Sequence, residues 1–152
     1  MKNALKLLTA ISLLALVGCE EKSHEEQNFL VGKWNFTERI VNDKDGNELA
    51  VYKEDNYYCP LDYYFFKSNG KFETVDYKIG LDFDQLCAGL TYFGTWTQTE
   101  TTLKIEFEKL PLQNFTIKKI SNNEIQLEQK APKDVSDLFE GKAETQKIIF
   151  KK

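Results

Sequence analysis

Histidine is nearly missing from this chain of 152 residues: the single one, His24, lies in a polar stretch near the N-terminus. From Phe29 onward there is none, so neither a Ser-His nor a Cys-His nucleophile can be assembled in the body of the chain. Zinc is equally unsupported, because its sites draw on His and free Cys. Cysteine is scarce as well, with only Cys19, Cys59 and Cys87. A Gly-rich phosphate loop and a long amphipathic helix pattern are both lacking. Lys and Arg number 20 against 24 Asp and Glu. That acidic balance argues against nucleic acid, whose binding depends on neutralised phosphates. The expectation is a non-catalytic protein with no cofactor, no metal and no nucleic-acid partner.

What is present begins with a targeting segment. Lys2 and Lys6 precede an apolar run from Leu7 to Val17, which is shorter than the roughly 20 residues a bilayer-spanning helix needs. The run ends in Leu16-Val17-Gly18-Cys19, which resembles the lipobox of bacterial lipoproteins. That resemblance implies a signal peptide over residues 1–18 and a mature chain starting at an acylated Cys19, with palmitate among its lipids. Several acyl chains, at about 0.8 kcal/mol per buried methylene, hold a protein to a membrane. Membrane lipid is thus the expected partner, with the protein on the outer membrane, facing periplasm or cell surface. Removing Lys2 and Lys6 with the leader takes the formal charge from -4 to -6.

Residues 19–28 read as a solvated acidic tether, because Glu20 to Asn28 contains nothing apolar to bury. His24 beside its carboxylates is read as solvated rather than as a metal ligand. With Cys19 committed to lipid, Cys59 and Cys87 remain as the one pair in an oxidising setting, and a disulfide is expected between them. Two free buried thiols are the alternative.

From Phe29 the pattern is that of strands. Over Phe29 to Val41 the period of two puts Trp34, Phe36, Glu38 and Ile40 on one face and Asn35, Thr37 and Arg39 on the other. Asn42 to Glu48 reads as a turn around Asp45-Gly46; its glycine falls too early for an EF-hand loop and no closing Glu follows. Leu49 to Tyr58 is ambiguous between a strand and a loop. Leu61 to Lys67 and Lys71 to Tyr77 form a hairpin about Asn69-Gly70, the strongest short-range hairpin signal. Lys78 to Gly89 reads as a long loop, in which Asp82 and Asp84 are solvated acids rather than a glycosidase pair. Strands follow at Tyr92 to Gln98, Leu103 to Glu108, Phe115 to Ile117 and Glu124 to Glu128. A polar excursion from Pro132 to Ala143, with a helical turn over Asp134 to Phe139, precedes the last strand, Thr145 to Phe150.

About eight short strands joined by hairpins indicate an all-β, antiparallel up-and-down barrel over residues 29–152, with a sandwich as the runner-up. The order Gly32-x-Trp34, Cys59, Asp62, Asn69-Gly70, Cys87, Gly94-x-Trp96, Leu103 and Ile105 resembles the lipocalin-like domain of small bacterial lipoproteins. The likeness runs from Leu30 to the end of the chain. It implies an eight-stranded barrel in which Gly32, Trp34, Gly94 and Trp96 are structural. It also implies that the barrel takes a small hydrophobic molecule, with Tyr63, Phe65, Phe72, Tyr77 and Trp96 as candidate lining. The expected function is a monomeric, membrane-anchored binding module. An interaction protein of the cell envelope, an inhibitor or assembly factor using the loops 78–89 and 132–143, is the second expectation.

Overall fold

The computed structural model describes residues 28–54, 59–79 and 87–152. The signal peptide, Cys19, His24, Asp82 and Asp84 therefore lie outside the described residues. The strands are β1 (Gly32–Asn42), β2 (Glu48–Lys53), β3 (Tyr63–Phe66), β4 (Lys71–Ile79), β5 (Cys87–Gln98), β6 (Thr102–Phe107), β7 (Gln113–Ser121), β8 (Glu124–Lys130) and β9 (Thr145–Lys151). One short helix, α1 (Lys133–Leu138), sits between the last two strands. Every described strand pairing is antiparallel.

Closure comes from β1, which pairs with β9 along one edge and shares its other edge between two partners. Residues 38–42 face β2, and residues 32–35 face β3. Thus β2 and β3 are halves of one interrupted strand, and the nine segments make a closed barrel of eight. The chain leaves the sheet at Glu54, whose N–H donates to the Thr37 carbonyl at 3.0 Å. It returns at Asp62, whose carbonyl accepts the Phe36 N–H at 2.8 Å. Cys59, inside this excursion, is disulfide-bonded to Cys87 at the start of β5, with Cα atoms 5.4 Å apart.

The Asn69-Gly70 hairpin sets the register of the whole wall. Gly70 takes φ 76°, a left-handed conformation that costs other residues more. The Lys67 N–H donates to the Lys71 carbonyl at 2.9 Å, and Phe66 faces Phe72. Interior positions then follow as Tyr64 and Phe66 on β3, and Phe72 and Thr74 on β4.

A dry core fills the barrel half next to this turn, with Trp34, Phe66, Phe72, Trp96, Leu103 and Phe115 among its buried members. Both indoles are satisfied: Trp34 Nε1 donates to the Leu30 carbonyl at 2.7 Å and Trp96 Nε1 to the Lys67 carbonyl at 3.0 Å. A second, smaller cluster joins Val135 of α1 to Val41, Ala131 and Ala143.

Two expectations need correction. The ladder of β1 against β9 is bulged between Phe36 and Glu38, so strict alternation fails there. Arg39 consequently faces Ile148 on the inner side, and Glu38 with Ile40 turns outward. The loop expected over Lys78 to Gly89 is also shorter, because β4 runs to Ile79 and β5 starts at Cys87, with Ile79 paired to Cys87.

Candidate functional site

Aromatic packing stops partway along the barrel. Tyr64 marks the boundary: its ring lies 5.0 Å from Phe72 and 4.6 Å from Phe150, centroid to centroid, on the core side. On the other side is a cavity of about 200 Å3 in the half of the barrel remote from the Asn69-Gly70 turn. Phe36, Phe107, Ile148 and Phe150 give it apolar walls, and Leu110 stands at its rim, 39% exposed. Arg39, Asp62, Thr74, Asp76, Tyr92 and Gln113 give it a polar lining.

The polar groups are unevenly partnered. The Nε of Arg39 and the Oε1 of Gln113 are buried and find no hydrogen-bond partner among the described residues. The Arg39 guanidinium lies 5.7 Å from the Phe36 ring centroid. Asp62 behaves differently, because it stands where the sheet is interrupted. Its Oδ1 accepts the Tyr77 N–H at 2.6 Å, filling the place of the strand carbonyl that the excursion removes. Burial pushes the Asp62 carboxyl above the usual carboxylate range; the Tyr77 N–H acts against this, and the charge and hydrogen bond of Asp76 reinforce it. Arg39 draws it slightly down again. Tyr64, half-buried, is part of the same lining. Burial pushes its phenol up to about 12, so it stays a neutral O–H.

The aromatic residues singled out from the sequence are divided among three environments. Phe72 and Trp96 are buried in the dry core. Phe65 and Tyr77 do not line the cavity: Phe65 faces Lys33 and Glu73 across its ladders, with the Lys67 ammonium 5.3 Å from its ring, and Tyr77 faces Gly89. Tyr63 reaches the cavity's edge, but its ring carries Lys33 at 3.8 Å and its hydroxyl donates to Glu73 at 3.0 Å. Glu73 also takes Lys67 at 2.9 Å, and that ammonium first, then Tyr63, holds its carboxyl below the usual range.

Of the lining residues only Tyr63 was a candidate from the sequence; the groups with polar side chains that were missed are Arg39, Asp62, Tyr64, Thr74, Asp76, Tyr92 and Gln113. A signal for some of them was available. Counting outward from the Asn69-Gly70 hairpin places Glu73 opposite Phe65. A charged partner marks that face as wet and assigns Tyr64 and Thr74 to the inside.

A larger hollow, of about 540 Å3, lies over Gly94 beside Lys67, Lys71, Thr95 and Glu106. Two of its charged groups are already paired, Lys67 with Glu73 and Glu106 with Lys104. None of the buried unpartnered side-chain atoms belongs to it. Among the described residues no group of three or more His, Cys, Asp or Glu is placed to hold a metal ion.

The family model of the lipocalin-like domain matches residues 30–127. Among solved structures, a lipocalin-like protein from Bacteroides uniformis is similar with a TM-score of 0.52 and 21% identity, over 82% of this chain and 98% of that one. An uncharacterized protein from Bacteroides eggerthii is similar with a TM-score of 0.51 and 13% identity, over 81% and 99%. At such identities the likeness concerns the fold. No curated protein matches the chain.

Proposed function

The chain belongs to the family of lipocalin-like domains, and from that premise we propose that it is a non-catalytic binding module holding one small organic molecule in the open half of its barrel. One observation carries the reading: a cavity of about 200 Å3 has apolar rings on its walls together with Arg39, Asp62 and Gln113, and Arg39 Nε and Gln113 Oε1 are buried with no hydrogen-bond partner among the described residues. A buried polar atom without a partner costs about 1–3 kcal/mol, so a ligand that supplies partners recovers that loss. Volume is sufficient, since an engineered apolar cavity of about 150 Å3 accepts benzene. A purely hydrophobic ligand suits only part of this lining. Phe36, Phe107 and Phe150 support an apolar body, and Arg39, Asp62 and Gln113 support a polar end.

Anchorage completes the reading. Acylation at Cys19 would tether a monomeric barrel to the outer membrane through the residues before Phe29, leaving the cavity free to exchange small molecules with the surrounding aqueous phase.

Thermal melts in the presence of a panel of small aromatic and aliphatic molecules test the cavity. The comparison is wild type against Thr74→Phe, which fills the cavity from β4. The expected result is that some molecules raise the melting temperature of the wild type and leave the variant unmoved. If no molecule stabilises either protein, or both respond equally, the cavity is not a binding site.

A further inference from the structure

Two opposite electrostatic demands meet in the one cavity. On β1, Arg39 carries a permanent positive charge whose Nε is buried with no acceptor, and no carboxylate among the described residues forms an ion pair with it. A guanidinium is matched best by a carboxylate, which takes two parallel N–H donors. On the wall made by β4 and the return of the chain into β3, Asp62 and Asp76 share the cavity lining, where burial and then the charge of Asp76 disfavour an ionised Asp62. Such a pair is relieved by a cation. Lys78 pairs with Asp76 at 3.7 Å, but its side chain is 64% exposed. Exposed pairs of that kind contribute little, so Lys78 leaves the demand largely unmet.

The lining itself holds one guanidinium, Arg39, against two carboxyls, Asp62 and Asp76, and burial disfavours the anionic form of Asp62. A ligand with a single charge would satisfy one wall and leave the other uncompensated. A neutral molecule with separated charges satisfies both.

We infer that the cavity takes a small zwitterion of the amino-acid class, with its carboxylate on Arg39, its ammonium at Asp62 and Asp76, and an apolar side chain against Phe36, Phe107 and Tyr64. Size agrees with this, since about 200 Å3 admits a single-ring molecule and not a long acyl chain. Tyr64, Thr74 and Tyr92 belong to the same lining, and a hydroxyl is able to donate to a carboxylate or accept from an ammonium. The inference rests on the proposed binding role and sharpens it to a ligand class.

Calorimetric titration of the disulfide-bonded protein separates the possibilities with four probes that share one ring: L-phenylalanine, 2-phenylethylamine, 3-phenylpropanoate and 2-phenylethanol. The expected result is that L-phenylalanine binds at least tenfold more tightly than each of the other three. Arg39→Gln should erase its advantage over the amine, and Asp62→Asn with Asp76→Asn its advantage over the acid. Circular dichroism melts establish that each variant is folded; should Arg39→Gln fail to fold, Arg39→Lys keeps the charge while losing the two-pronged contact, and the advantage should shrink. Equal or tighter binding of the amine or the acid overturns the zwitterion and leaves the cavity standing as a site for that singly charged class. Binding of the alcohol alone overturns it in favour of a neutral ligand. If none of the four binds, the inference fails, and the melt comparison with Thr74→Phe then decides whether the binding role fails with it.

Discussion

Arg39 stands opposite Ile148 across the ladder of β1 and β9, on the inner side of the barrel, because the strand is bulged between Phe36 and Glu38. The bulge does two things at one place. It turns a guanidinium inward, and it lies where the other edge of β1 changes partners: Thr37 accepts from Glu54, and Phe36 donates to Asp62. An inward charge and an interrupted neighbouring strand thus share one structural cause. Bulges bend strands and re-aim side chains, and this one re-aims Arg39 into the cavity.

The first consequence concerns stability. Replacing Arg39 by Met keeps most of the side-chain volume and removes the unpartnered Nε. Relief of a buried unsatisfied donor is worth about 1–3 kcal/mol, or several degrees in melting temperature for a chain of this size. Arg39→Met should therefore melt higher than wild type in thermal unfolding followed by circular dichroism, while losing whatever ligand the guanidinium holds.

The disulfide between Cys59 and Cys87 closes a sequence separation of 28 residues and ties the strand interruption to β5. On the chain-entropy model a loop of that length contributes about 3.5 kcal/mol. Chemical denaturation of the Cys59→Ala, Cys87→Ala protein should show a loss of this order. A loss below about 1 kcal/mol would mean that the excursion is held by other contacts.

Gly94 sits in the middle of β5, opposite Phe107, where an added Cβ would collide with the backbone carbonyl of Glu106. Backbone in a closed barrel has little room to retreat. Gly94→Ala should destabilise by at least about 2 kcal/mol, seen as a lower denaturation midpoint with an unchanged slope.

Asp62 gives a pH signature. Its folded carboxyl lies above the ordinary range, chiefly through burial. Below that range it is protonated whether the chain is folded or not, and it carries no penalty. As pH rises through the ordinary value and on through the raised folded value, ionisation favours the unfolded chain. Asparagine retains the Oδ1 that accepts the Tyr77 N–H and cannot ionise. Asp62→Asn should thus melt above wild type at pH 7, and the difference should vanish as pH falls below the carboxylate range. Pairing that gain with weaker ligand binding would be the usual exchange between stability and function.

Much of the fold was legible because period-two patterning and turn chemistry are local. The Asn69-Gly70 hairpin, the alternation at Leu103 and Ile105, and the last strand through Ile148 and Phe150 can each be read from a few adjacent residues. The cavity was not legible for the same reason. Its lining depends on the bulge after Phe36, which breaks the alternation and assigns Arg39 to the opposite face. It depends equally on the chain's departure after Glu54, which leaves Asp62 to replace a missing backbone partner. Counting aromatics selected Phe65 and Tyr77, which face outward, because aromatic residues suit both sides of a pleated sheet. Only the ladder partners, Glu73 opposite Phe65 and Gly89 opposite Tyr77, separate the sides.

The most direct test is an NMR titration with L-phenylalanine that follows the Arg39 Nε–H together with the Ile148 and Ile125 methyl groups. Both belong to the core cluster, but Ile148 also lines the cavity and Ile125 does not. The expected result is a saturable shift of the Arg39 and Ile148 signals with a single affinity, while Ile125 stays in place. Unmoved Arg39 and Ile148 signals at saturating ligand, or shifts confined to outward-facing residues such as Phe65 and Tyr77, would contradict it.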